Sequence, residues 1–349
     1  KRICTQQGID FFVAGDALLH EPEEVATQSG HPYTVFTAFY KRSLDIPIRE
    51  PEHSRHTNFW HGSLSDIPSI TLTKELSPEG KILTTKTKRL HGHGGRARGL
   101  KLVAQLKNLR DYATTRDFPY LPTSYLSAHN KFGTLSIREL YQKTADILGK
   151  EHALLRQYYW RDFYIHIAHH FPYIFGKPFH EKYETLAWKN NKAQFMQWCS
   201  GTTGFPIVDA GMRELVATGY MHNRVRMIVA SFLTKDLHID WRWGEQFFAL
   251  HLVDYDPAVN NGNWQWSAST GCDAAPYFRI FNPWLQQAKF DPECTYIKHW
   301  VPELANIPAV MIHKLYTGTT IAGYPKPMVD HGEEVALTKE LYAAAAKQH

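Results

Sequence analysis

After Gly94–Gly95 the chain turns helical: Leu100, Val103, Leu106 and Leu109 recur every three residues, which predicts one face of a helix. From there to the C-terminus helical periodicity dominates and alternating strand patterns are few. The preceding stretch, His31 to His93, differs. Pro32, Pro47, Pro51, Pro68 and Pro78 recur among polar residues and amphipathic periodicity is weak. This predicts a long connecting segment crossing the surface. At the start, Gln6–Gly8 followed by apolar Phe11–Val13 predicts a helix ending and a strand beginning, as in the last unit of an α/β sheet. One such unit forms no sheet alone, so the expectation is a chain that begins inside a domain. The predicted fold class is mainly α, with a helical domain over 94–349, an interdomain linker over 31–93, and the remnant of an α/β domain over 1–30. The final AAAAKQH reads as frayed.

Composition narrows the function. The 349 residues are 43% hydrophobic, which supports a core and excludes wholesale disorder. No apolar run approaches the roughly 18–20 residues of a membrane span, so no membrane association is expected. Four dispersed cysteines without a CxxC pair argue against a disulfide scaffold or a cysteine zinc site, and fit a reducing, intracellular compartment. Ten Trp, 18 Tyr and 19 Phe in a chain of net charge +5 suggest a stacked ligand: a nucleobase, a flavin, or both. Between Lys86 and Arg116 there are nine basic residues and one acidic. Such a run is either a solvated helix face or a footprint for phosphates.

Four clusters carry candidate chemistry. In Asp254–Trp266, two carboxylates precede paired asparagines and two tryptophans; on a helix Asn260 and Trp264 share a face while Trp266 is rotated about 200° away. In Met221–Met227, Asn223, Arg226 and Met227 share a helical face suited to a polar ring with anionic character, and Arg226 calls for a carboxylate partner, Asp254 or Asp256. In Leu121–Ser127, hydroxyls at Thr123, Ser124 and Ser127 mark a helix start, either as ordinary caps or as a pyrophosphate site. In Gln157–Phe163, Gln157 and Trp160 share a face with Arg161 beside them, either a base-reading pair or interior packing. His166, His169 and His170 have ligand-like spacing, but no nearby carboxylate or cysteine completes a metal site, and none is expected. No GxSxG, Walker loop or GxGxxG appears.

From HPYTVFTAFYK at residue 31 onward, and most densely in TGFPIVDAGMRELVATGYMHNRVRM and NNGNWQWSASTGCDAAPYFRIFNP, the chain resembles the photolyase/cryptochrome family. The resemblance is greatest to the class I cyclobutane pyrimidine dimer photolyases. It implies an all-helical FAD-binding domain preceded by a Rossmann-like α/β domain that is mostly absent. By motif position Tyr112, Thr123, Ser124, Tyr125, Leu126 and Ser127 correspond to the phosphate and ribityl contacts. Asn223, Arg226, Asp254, Tyr255, Asp256 and Asn260 correspond to the groups around the isoalloxazine ring. Trp264, Trp241 and Trp188 fall at the family's electron-relay positions, with core packing as the competing reading.

The resemblance further implies light-driven repair by reduced, anionic FAD, acting as a monomer on a pyrimidine dimer extruded from DNA, as the family is known to do. Trp160 and Trp266 would pack against the dimer, Gln157 and Asn223 would hydrogen-bond it, and Met227 would lie alongside. Arg116, Arg161, Arg224, Arg279 and Gln286 are candidates for the DNA backbone and the lesion's flanks. A second, antenna chromophore of folate or flavin type is compatible but unassigned. One departure stands out. Gln157 occupies a position where dimer photolyases usually carry Glu and where 6-4 photolyases and animal cryptochromes carry Gln; an amide supplies no carboxylic proton. Asn223, where 6-4 enzymes place a His, favours dimer repair. A cryptochrome-like photoreceptor and a flavin-free nucleic-acid-binding module are the alternatives.

Overall fold

The structure, a computed structural model, describes residues 2–12, 15, 17–51 and 94–347. Residues 52–93 of the expected connector, with the basic Lys86, Lys88 and Arg89, lie outside them, as does Val13. Regular structure among the described residues is helical, apart from one isolated β-bridge, Ala26 to Pro32.

Helix α1 is Arg2–Gln6, and Gly8 at φ 66° ends it while the Gln7 and Gly8 N–H groups bond back to carbonyls of the helix. The helix end is where the sequence put it; the strand is not. Ile9–Phe12 are irregular and exposed, with no described strand beside them, and a lone strand has no partner for its ladder bonds. Within the expected connector lies α2, Phe36–Leu44, which buries Phe36, Phe39 and Ser43. With only three inward positions its periodicity is faint. Val103, Leu106 and Leu109 are buried as expected, but they span two elements, α3 (Arg96–Gln105) and a 3-10 turn (Leu106–Leu109), and Leu100 is exposed. Three-residue spacing suits the 3-10 turn, where i and i+3 eclipse.

After α3 come α4 (Tyr112–Thr115), α5 (Ser127–Lys131), α6 (Ile137–Leu148) and α7 (Ala153–His170). Helices α8 (Lys192–Ser200), α9 (Pro206–Thr218), α10 (Asn223–Ser231), α11 (Trp241–His251) and α12 (Pro257–Ser267) follow. The last are α13 (Pro283–Phe290), α14 (Thr295–Trp300), α15 (Ala309–Ile312) and α16 (His331–Lys347). Two cores form. One gathers α2, α3, α6 and α7 around Phe36, Phe39, Leu106, Leu140 and Phe163. The other gathers α8–α14 around Trp198, Phe205, Ile228, Trp241 and Trp264. Helix α12 joins them, with Ala258 in the first and Trp264 in the second, and packs along α7. The two helices approach closely because position 262 is glycine: a Cβ there would meet Tyr164 Cδ1 at 2.1 Å.

Of the final stretch, residues 343–347 are helical and not frayed, and the last two residues lie outside the described ones. α16 continues to Lys347, with Tyr342 and Ala345 buried against Tyr183 and Leu186. The three histidines of α7 do not converge on a point. His166 donates to the His20 carbonyl at 2.9 Å, His170 to the Pro22 carbonyl at 3.3 Å, and His169 faces Glu23. With Asp162, which accepts the Leu19 N–H at 2.7 Å, they bind the N-terminal segment along α7.

Candidate functional site

Helix α12 begins at Asp256, whose Oδ1 accepts the N–H groups of Ala258 at 3.0 Å and Val259 at 3.1 Å; Pro257 at the first helical position gives up no needed donor. The other oxygen of Asp256 binds Lys131 Nζ at 3.0 Å. Asp254 takes Arg226 of α10 in a two-pronged pair, Nη1–Oδ1 3.2 Å and Nη2–Oδ2 2.9 Å, while Arg226 Nε donates to the Met221 carbonyl at 2.7 Å. Of the two carboxylates open to Arg226 in the sequence, Asp254 is the partner. Burial pushes the Asp254 carboxyl up, but Arg226 and a hydrogen bond with Ser127 outweigh it, and the pKa lies below the ordinary range. The pair is a fixed dipole.

Around it lie aromatic rings and hydroxyls. Arg226 sits 5.5 Å from the Tyr220 ring centroid, the Tyr220 hydroxyl lies 3.4 Å from Thr123 Oγ1, and Tyr125 meets Tyr220 edge-on. Thr123 and Ser124 do not sit at a helix start as expected. They lie in an irregular approach to α5, whose first residue is Ser127 and whose N-cap, Leu126, offers no side-chain bond. Tyr125 at φ 52° takes the chain out of helical geometry just before that start. Tyr112, half-buried in α4, packs against the first core beside His152, and Tyr255 is half-buried between the two carboxylates in sequence.

The rest of α12 divides as its helical rotation dictates. Asn260 is nearly buried and donates to the Glu245 carbonyl at 3.1 Å. Trp264 is buried, edge-on to Phe248 at 4.9 Å and Trp198 at 6.1 Å. Gly244 makes room for it: a Cβ there would lie 2.1 Å from Trp264 Cη2. Trp241 is buried in the same core, and Trp188 packs against its margin, edge-on to Tyr342. Trp266 points elsewhere, half-buried, 6.4 Å from Phe281.

On α7, Trp160 is half-buried and Gln157, one turn earlier, makes only a long 3.5 Å bond to the Ala153 carbonyl. Arg161 turns inward, donating to the Ala17 carbonyl at 2.7 Å and to Asp162 at 3.2 Å. Arg224 pairs with Asp117 at 2.9 Å and lies over the Phe290 ring. Asn223 is exposed at the start of α10, 3.8 Å from the Met227 sulfur; Arg116 and Arg279 are exposed and Gln286 is half-buried. Long-range packing adds three groups the sequence did not single out. Tyr220 flanks the ion pair, Lys131 holds Asp256, and buried Glu214 accepts from the Tyr296 hydroxyl and the His222 N–H. Each looked ordinary in its local context.

The donor set is that of a holding site. Thr123, Ser124 and Ser127 offer hydroxyls and Lys131 a cation, a set that suits a diphosphate. Arg226, Asn223 and Asn260 offer N–H groups that suit the heteroatoms of a ring. Fold and site together define a helical flavin-binding domain, and residues 154–344 match the FAD binding domain of DNA photolyase.

The chain belongs to the DNA photolyase family. It is 39% identical over 99% of its length to the deoxyribodipyrimidine photo-lyase of Vibrio cholerae, of which it covers 75%. An archaeal photolyase from Sulfolobus tokodaii, solved with two FAD molecules, superposes with a TM-score of 0.83 at 41% identity, covering 98% of this chain and 74% of that one. A Synechocystis cryptochrome superposes with a TM-score of 0.80 at 30% identity, covering 97% and 74%.

Proposed function

We propose that this protein is a deoxyribodipyrimidine photo-lyase that splits cyclobutane pyrimidine dimers in DNA. The observation that carries the reading is the pair of half-buried indoles, Trp160 and Trp266, on two helices packed against each other, α7 and α12, the second of which follows the Asp254 that holds Arg226. Bound and reduced, FAD supplies the light-driven electron that opens the dimer and takes it back, so the reaction is redox-neutral. The chain's residues orient and hold. Thr123, Ser124, Ser127 and Lys131 receive the diphosphate, while Arg226, Asn223 and Asn260 present N–H groups to the ring and Asp254 keeps Arg226 in place. Gln157, Met227, Trp160 and Trp266 receive the dimer flipped out of the duplex. Trp188, Trp241 and Trp264 relay an electron inward from the surface.

The protein acts as a monomer in a DNA-containing compartment. Residues 94–349 form the catalytic domain together with α2, whose Phe36 and Phe39 lie in its first core; the rest of 31–93 connects it to 1–30, part of an α/β domain with which an antenna chromophore of folate or flavin type belongs. No helix among the described residues is long and apolar enough to cross a membrane. Arg161 and Arg224 reach DNA only by exchanging the partners they hold.

The test is to illuminate reduced, FAD-loaded protein with duplexes carrying either a cyclobutane dimer or a 6-4 product. Loss of the cyclobutane dimer is expected; activity on 6-4 products alone, in keeping with Gln157, would overturn the substrate assignment. The likeness to a cryptochrome gives the second reading, a blue-light photoreceptor, for which the signature is flavin photoreduction with neither lesion repaired.

A further inference from the structure

We propose that Phe36, held in place by Asp273, is a positioning residue for lesion recognition: it fixes the indole of Trp160 in the orientation a damaged base meets. The inference rests on the reading that Trp160 packs against the lesion. Phe36 opens α2, in a stretch whose sequence suggested a connector. Its buried ring lies parallel to the Trp160 indole, at 8° and 3.5 Å between centroids. Most aromatic pairs settle farther apart, offset or edge-on. Phe163 meets Phe36 edge-on at 5.7 Å, Tyr40 stacks at 5.7 Å, and the Arg156 guanidinium lies 5.3 Å from its centroid. The ring has nowhere to turn. Trp160 nevertheless stays half-buried, so the brace leaves indole surface for a ligand.

The brace is anchored from the other indole's helix. The first N–H of α2 lacks a side-chain cap from Val35 and donates instead to Asp273 Oδ2 at 3.1 Å. Cys272 Sγ bonds the Thr34 carbonyl. Both residues lie in the loop that leaves α12 just past Trp266. That loop is tied back by the Thr270 and Gly271 N–H groups, which both bond the Gln265 carbonyl. Asp273 at φ 50° turns the loop so that its carboxylate faces α2. Trp266, the Asp273 loop, Phe36 and Trp160 therefore form one connected wall. An indole held this way loses no rotamer freedom when a base docks, which raises affinity for a base presented out of the stack and does nothing for an intact duplex.

The experiment measures dark dissociation constants of FAD-loaded protein for a duplex with one thymine dimer and for its undamaged twin. Phe36→Leu should lower the preference for the dimer by about tenfold, the worth of a well-formed aromatic pair, with undamaged-DNA affinity and FAD content unchanged. Asp273→Ala should lower it several-fold, and Asp273→Asn, whose amide oxygen still accepts, should restore it. In fluorotryptophan-labelled protein without DNA, the Trp160 fluorine signal, assigned by its loss in Trp160→Phe, should shift and broaden in Phe36→Leu. An unchanged preference, or one that falls only as FAD is lost and melting drops, overturns the proposal, as does an unmoved Trp160 signal. Should Phe36→Leu fail to fold, the Asp273 pair decides. A wild-type protein that does not distinguish the duplexes overturns the repair reading and this inference with it, while the fluorine signal still reports whether the stack exists.

Discussion

Asp254 and Asp256 stand two residues apart in sequence and do different work. Asp254 neutralises Arg226, and Asp256 caps a helix and holds Lys131. Asp254→Asn should cost about 3 kcal/mol, the lower end for removing one partner of a buried pair, because Arg226 keeps some access to water. It should also weaken FAD retention, read by urea unfolding and by flavin absorbance after dialysis. Normal stability with full flavin would show that the pair is incidental.

Glu214 offers a second residue-scale test. Burial pushes its carboxyl up to about 7, against the Tyr296 hydroxyl, the His222 N–H and Arg226. A carboxyl with a raised folded pKa binds its proton more tightly when folded. Its contribution is therefore complete below about pH 4.5 and is lost as pH rises to about 7, a difference of at most roughly 3 kcal/mol. Glu214→Gln should flatten the stability profile across that window relative to wild type; parallel profiles would refute it. For the tryptophans the test is photochemical. Trp264→Phe should abolish light-driven reduction of bound oxidised flavin while chemically reduced protein still repairs, and unimpaired photoreduction would remove Trp264 from the relay.

At the scale of elements, the site depends on how closely α7 and α12 approach. Gly262→Ala would press a methyl into the Tyr164 ring and should cost about 1–3 kcal/mol or more, lowering the melting temperature and the affinity for damaged DNA together. A fully tolerated alanine would mean that the helices can separate without consequence. The motif helices were legible because their polar residues are conspicuous where a core stripe is expected: Asn223, Arg226 and Met227 on α10, and Asn260 with Trp264 on α12. Helix α2 was not, because three inward residues among prolines and charges leave almost no periodic signal. Nor could the 3-10 turn after α3 be told from its continuation, since three-residue spacing fits both over so short a run.

For the molecule as a whole, α16 closes the second core through a polar seam. Lys235 lies buried with its ammonium 3.6 Å from the Tyr342 centroid and bonded to the Ala268 carbonyl and the Ser269 hydroxyl; burial holds its pKa well below the usual lysine value. Tyr342 reaches the same Ala268 carbonyl, Thr338 bonds the Lys235 carbonyl, and Glu334 pairs with Lys189. Tyr342→Ala should cost about 3–5 kcal/mol, as large aromatic truncations do, and should accelerate amide exchange throughout α16. Exchange confined to the last turn would mean the seam holds without that ring.

The motifs and their order along the chain, through the family they resemble, were enough to specify a helical flavin-binding fold, because each motif carries its residues within one or two helical turns. Which carboxylate Arg226 takes, where Arg161 points, what Glu214 touches and what stands behind Trp160 were settled only by folding. Those contacts join residues far apart in sequence, and a side chain's partner across such a distance depends on how whole helices pack.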